Sequence, residues 1–238
     1  MPVASIHQAS RRSISPAQAG APYATLPLAP DWLDALARLG HDAMTPLQAS
    51  MLPAALSGRD VIVQVRRDRQ TNDSDADSEL ALALAVLHRL DARRFDVQAL
   101  WLCPTPDAAD RVARCMRGLA QSLGHIKVAM LCHGAPMRMQ IDSLIHGAHI
   151  VVGTPGRLLD HVDAATLDLR AINTVVFDKA DTLLELGYVD DIAFVASRCP
   201  RLRQTLLMHG SADADLPPDL ARLGRLWMRR PHLISQPA

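Results

Sequence analysis

At 238 residues the chain has room for one large α/β domain, and 49% hydrophobic against 21% charged residues excludes a disordered or fibrous polypeptide. Lys+Arg and Asp+Glu balance at 25 each, so bulk charge excludes the strongly basic class of nucleic-acid binders, and any such affinity has to come from a local patch. No apolar run reaches bilayer length and the N-terminus lacks the continuous apolar stretch of a secretory signal, which sets the expectation of a cytoplasmic protein with no membrane partner.

In chain order, residues 1–22 are rich in Ser, Ala, Pro and Gln without periodicity and read as a flexible tail. From Tyr23, apolar runs of strand length alternate with helical patterns. Strands are expected at 61–65, 98–103, 126–132, 149–153, 173–178 and 203–208. Helices are expected at 80–90, 107–123, 137–145 and 189–198. Continuous rather than alternating apolar strands are buried on both faces, so the sheet is mostly parallel and doubly wound, with helices as crossovers. Chemistry in such folds sits at the carboxyl ends of strands. The acidic run DSDADSE at 73–79 has calcium-loop spacing in Asp73, Asp75 and Asp77, but Ser78 stands where that loop needs glycine and Leu84 where it needs glutamate. Asp77 or Ser78 is expected to cap a helix starting near Glu79. Cys103, Cys115, Cys132 and Cys199 form no CxxC pair and are expected to be free thiols; no metal site is assigned. His146 and His149, three apart, are read as structural.

The strand ends carry an ordered series: GHDAMTPLQ at 40–48, PTPDAA at 104–109, HG at 133–134, TPGR at 154–157, DKAD at 178–181, ELGY at 185–188 and QTLLMHGS at 204–211. This series resembles the DEAD-box ATP-dependent RNA helicases; HIVVGTPGRLLDH and SRCPRLRQTLL resemble in particular the DbpA-like bacterial members. The resemblance runs from Tyr23 to Ile234 and implies a single RecA-like α/β domain of P-loop NTPase type over 23–235, with a Q motif at 40–48. It further implies that Gln48 reads the adenine edge, that Tyr23 stacks on it, and that Thr105, Gly134, Thr154, Gly156 and Arg157 hold an RNA backbone. The closing RPHLISQPA is similar to the exit from the first of the family's two domains, so the second RecA-like domain is expected to be absent.

The chemistry of that family is expected to fail here. Where its phosphate loop has glycines and a lysine, this chain reads Arg66-Arg67-Asp68-Arg69-Gln70-Thr71-Asn72, and no glycine occurs between Gly58 and Gly118. A phosphate cradle needs the φ > 0 freedom of glycine. Arg66, Arg67 and Arg69 could hold an anion by bidentate contacts, but facing Asp68, Asp73, Asp75, Asp77 and Glu79 they read better as a solvated loop with local ion pairs. In DKAD, Asp178 keeps an acid, whereas Lys179 replaces the family's general base and cannot act as one. Pairing of Lys179 with Asp178 or Asp181, as a permanent counter-ion, is expected; an activated lysine nucleophile is the alternative. His209-Gly210-Ser211 loses the hydroxyl pattern that couples hydrolysis to unwinding in the family.

The expectation is therefore a pseudoenzyme: a DEAD-box-like RNA-binding domain without hydrolysis or unwinding by itself, needing no cofactor and holding ATP weakly at most. TPGR has two readings, a phosphate site at a helix start with Arg157 beside it, or Thr154 as helix cap with Arg157 paired to Asp160. Pro106 replaces the arginine of the family's PTRELA, so RNA or ribonucleoprotein affinity should be weak and salt-sensitive. The alternatives are an ATP-binding helicase subunit that works with a partner chain, and an interaction module docking on another helicase or a ribosomal protein.

Overall fold

Runs of Val, Ile and Leu produce a seven-stranded sheet in the computed structural model, which describes residues 20–66, 73–121, 124–211 and 216–235. The strands are β1 (Val61–Arg66), β2 (Ala99–Leu102), β3 (Val128–Leu131), β4 (Ile150–Gly153), β5 (Thr174–Phe177), β6 (Gln204–Ser211) and β7 (His232–Ser235). Their order is β3-β4-β2-β5-β6-β1-β7, and every pairing is parallel. The interior strands β2, β4 and β5 are buried at every position, while β3, at the edge, alternates buried with half-buried residues.

Alternate strand residues face two apolar layers. One face, with Val61, Val63, Trp101, Val152 and Val176, is covered by α1 (Pro30–Arg38), α2 (Pro46–Leu56), α3 (Asp73–His88) and α4 (Pro106–Ala120). The other, with Ile62, Leu100, Leu102, Val175 and Phe177, is covered by α6 (Pro155–Asp163), α7 (Ala180–Glu185), α8 (Val189–Arg198) and α9 (Pro218–Trp227); α5 (Met137–Ile145) lies against β3. Every residue from Leu80 to Leu87 is buried, because α3 is clasped between α2 and α4. Among the described residues no helix is long and apolar enough to cross a membrane.

Three features differ from the sequence reading. The strand β7 has no counterpart among the expected elements. It is held by Asp60, whose backbone carbonyl accepts from His232 N at 2.9 Å and whose buried carboxylate accepts from Thr205 N at 2.7 Å and Arg229 N at 2.5 Å. Helix α3 begins at Asp73, six residues before the expected start at Glu79, so 73–79 is helical rather than a solvated loop, and Asp77 and Ser78 lie within the helix rather than capping it, with Ser78 and Glu79 buried. Finally, Gly20–Pro22, assigned to the tail, pair with Ala43 and Met44. The remainder of that tail, and the replaced loop at 67–72, lie outside the described residues.

The chain leaves β1 toward β2, past β6 and β5, and leaves β6 toward β7 on the far side of β1. Folds of this kind keep their ligands in a crevice outside such a reversal, which here means the carboxyl ends of β1, β6 and β5.

Candidate functional site

Thr45 starts α2 with a reciprocal capping box: its Oγ1 accepts from Gln48 N at 3.4 Å, and its own N–H donates to Gln48 Oε1 at 3.0 Å. The same Oε1 accepts from the Tyr23 hydroxyl at 2.6 Å, and Gln48 Nε2 donates to the backbone carbonyl of Asp77 at 3.1 Å. Gln48 and Tyr23 are thus brought together, as expected of one site, but both are buried and the amide is bonded on both sides to protein. Burial, with Asp77 nearby, pushes the Tyr23 hydroxyl up to about 12, so it stays a donor.

At the strand ends, Asp178 follows β5 with no exposed surface, and its Oδ1 has no hydrogen-bond partner among the described residues. Cys103 Sγ lies 3.8 Å from Oδ2. Burial first, then the charge of Glu79, raises Asp178 to about 7; Lys179, Arg111 and the Trp101 indole N–H oppose the rise, the indole without completing a full hydrogen bond. Glu79, buried on α3, is gripped by Arg111 of α4, whose Nε lies 3.0 Å from each carboxylate oxygen and whose Nη2 lies 2.5 Å from Oε1. Sequence reasoning misses this pair. Its one trace is a glutamate fused directly to an all-apolar helical run. Lys179 takes a left-handed backbone, φ 49 and ψ 56, at the start of α7. Asp181 Oδ1 accepts from Gly210 N at 3.3 Å, tying α7 to β6.

The remaining candidates lie after β2, β3 and β4, adjacent strands at the other side of the sheet. Thr105 is exposed and caps α4, its Oγ1 accepting from Ala108 N at 3.2 Å. Gly134 is exposed at φ 98, a conformation that glycine adopts without strain. Thr154 gives no side-chain cap to α6; its buried Oγ1 completes no full hydrogen bond among the described residues, but it lies close enough to the Cys132 thiol to oppose the rise that burial gives that thiol's pKa. The Arg157 side chain is only 12% exposed. Its Nη1 lies 3.2 Å from Met137 Sδ, its Nη2 3.5 Å from Ala135 O, and its Nε 3.7 Å from Asp160. Beside Gly156 stand His133 and Asp191, and His133 Nε2 is 3.3 Å from Asp160.

Behind this surface, buried His161 donates from Nε2 to Gln140 Oε1 at 2.9 Å, and Gln140 Nε2 donates to Cys132 O at 2.7 Å, tying α6 to α5 and the turn after β3. Burial first, and Arg157 second, lower the His161 pKa. The native state therefore binds this proton less well than the unfolded chain, so the stability it supports is complete above the ordinary histidine range and declines as pH falls below it. We expect His161→Gln to flatten that part of an acid-side urea-melt profile, by less than the Asp178 effect argued below. His149 takes a hydrogen bond from Lys127 N at 3.1 Å and reaches Ala92 O at 3.1 Å, while His146 Nδ1 meets Asp142 O at 2.6 Å; both ring systems bond backbone. The four cysteines are free, and no group of three or more potential metal ligands occurs among the described residues.

Residues 80–215 match the family model for DEAD/DEAH box helicase. The chain is 46% identical over 180 residues to the ATP-dependent RNA helicase DbpA of Escherichia coli (strain K12), covering 76% of this chain and 38% of that protein. It is 35% identical over 197 residues to the ATP-dependent RNA helicase CshA of Listeria monocytogenes, covering 83% and 36% respectively. It therefore spans less than half the length of these relatives. Among solved structures, a DEAD box protein from the hyperthermophile Methanococcus jannaschii superposes with a TM-score of 0.79 at 26% identity, over 90% of this chain and 55% of that one. Motif order, the doubly wound parallel sheet and these matches agree: the chain belongs to the DEAD/DEAH box helicase family, as a RecA-like α/β domain.

Proposed function

We propose that this domain binds the backbone of RNA without hydrolysing ATP or unwinding a duplex by itself. The observation that carries the RNA half is the strand order β3-β4-β2, which sets Gly134, the Thr154–Arg157 turn and Thr105 side by side at three neighbouring carboxyl ends. The first turn of α6, with proline at its first position, is a suitable anion seat. Asp160 and Asp191 flank it and oppose a phosphate, which supports weak binding.

The other half rests on the crevice at β1, β6 and β5. ATP and a magnesium ion, which the family implies, do not fit the residues as they stand. The Gln48 amide is already bonded to Tyr23, Thr45 and Asp77; Asp178 is sealed from solvent and neutral up to about pH 7; and a cationic side chain follows it.

With about three phosphates contacted, affinity for single-stranded RNA should fall roughly 20-fold between 50 and 200 mM salt, independently of ATP. Arg157→Ala, which also releases the Ala135–Met137 turn, should lower the salt slope by about 1. Fluorescence anisotropy measures both. No binding at 50 mM salt, or an Arg157→Ala titration superimposable on the wild type, would remove RNA from the proposal. A second reading, an ATP-binding subunit completed by another chain, draws on Tyr23 and Gln48 standing together in one place, and it requires the Gln48 amide to exchange part of its protein bonding for adenine. Calorimetric titration with millimolar magnesium–ATP checks it, and no heat of binding ends it.

A further inference from the structure

Glu79 and Asp178 come from different elements, the first half of α3 and the residue after β5, yet both are buried; Cys103, directly after β2, touches Asp178, and the charge of Glu79 is felt at both Cys103 and Asp178. Two carboxyl groups in one dry place repel once both ionise, which is what holds the proton on Asp178 beside Glu79, and a buried charge is tolerated when it is paired and hydrogen-bonded. A divalent cation is the common solution to such a pair. Here Arg111 reaches Glu79 with three short N–H···O contacts in a fork geometry, while Asp178 keeps one oxygen buried without a hydrogen-bond partner among the described residues.

We infer that Arg111 is a built-in cation: its guanidinium takes the place of a divalent metal at the Glu79–Asp178 centre, holding the crevice in a state that needs neither metal nor nucleotide. The disagreement between the family's cofactors and the residues present then has a physical cause. Arg111 is a fixed, always-charged fork that a metal has to displace, and it is tethered to α4, so its effective concentration at Glu79 is far above that of any free ion. The Arg111 side chain is 43% exposed while that of Glu79 is 4% exposed, so removing the arginine opens a path from solvent to a buried carboxylate. RNA binding is not involved, and either idea can fail alone.

Thermal melts of the full chain test this, with Mn²⁺ as the metal probe and its electron-paramagnetic signal as a direct count of bound ion. The wild-type melting temperature should not move with millimolar Mn²⁺ or with magnesium–ATP. Arg111→Met should melt lower and recover on the order of 5 °C with Mn²⁺, or fold only in its presence, with ion bound. The double variant Glu79→Met/Arg111→Met exchanges the pair for apolar residues of similar volume; it should melt well above the single variant and ignore Mn²⁺. A wild type stabilised by Mn²⁺ or magnesium–ATP overturns the inference. So does an Arg111→Met that Mn²⁺ neither stabilises nor folds, or a double variant no more stable than the single one.

Discussion

Asp178→Asn is expected to make the domain more stable, and increasingly so as pH rises. Burial, with Glu79 beside it, lifts the native Asp178 carboxyl from an ordinary value near 3.8 to about 7. Between those values the native state holds a proton that the unfolded state has lost, so stability is greatest below about pH 4 and declines as pH rises through 7. Each tenfold difference in proton affinity between the native and unfolded chain is worth about 1.4 kcal/mol, so on the order of 4 kcal/mol is lost across this interval. Asparagine keeps the volume and polarity beside Cys103 and Trp101 but does not ionise. Urea melts from pH 4 to pH 8 should show wild-type stability falling across the range, with the variant close to flat and more stable by the same amount at pH 8. Parallel profiles for the two proteins would mean that Asp178 is already ionised in the native state, and that the counter-charges of Lys179 and Arg111 outweigh its burial.

That a buried acid should sit at β5 is visible in the sequence only in part. The apolar runs at β1, β2, β4 and β5 announce strands covered on both faces, because nothing in them has to meet water, and motif order places Asp178 at a strand end. Its environment is not legible, because it depends on pairings far apart in sequence. Glu79 reads locally as the last member of an acidic, solvent-seeking run; the partner that buries it, Arg111, is 32 residues away on another helix. Strand β7 escapes for a related reason. HLIS is four residues long with half-buried ends, and what holds it is Asp60, on the far side of the chain. The left-handed turn at Lys179 is likewise set by how β5 hands over to α7 rather than by lysine's own preference, since an L-residue pays about 1–2 kcal/mol there.

Gln48 is legible as a residue and not as a set of bonds, and the difference decides what its removal does. If the amide chiefly served a ligand, Gln48→Ala would leave the free protein almost unchanged. In the structure it instead joins three pieces of chain: the turn at Tyr23, the start of α2 at Thr45 and the first half of α3 at Asp77. Deletion leaves a buried phenol hydroxyl, a backbone N–H and a backbone carbonyl each short of one bond, and an unsatisfied buried group costs about 1–3 kcal/mol. Some of that is recovered by water entering beside Thr45, which is only half-buried. Gln48→Ala should therefore lose about 3 kcal/mol in urea melts without any nucleotide present, while Tyr23→Phe, which removes one donor and keeps the ring, should lose about 1 kcal/mol. Because Gln48 holds Asp77, and through α3 the turn that carries Glu79, amide hydrogen exchange in Gln48→Ala should quicken at the start of α3 before it quickens anywhere in the sheet. A Gln48→Ala protein as stable as the wild type, together with magnesium–ATP protection seen only in the wild type, would identify the amide as a nucleotide reader and not a clamp.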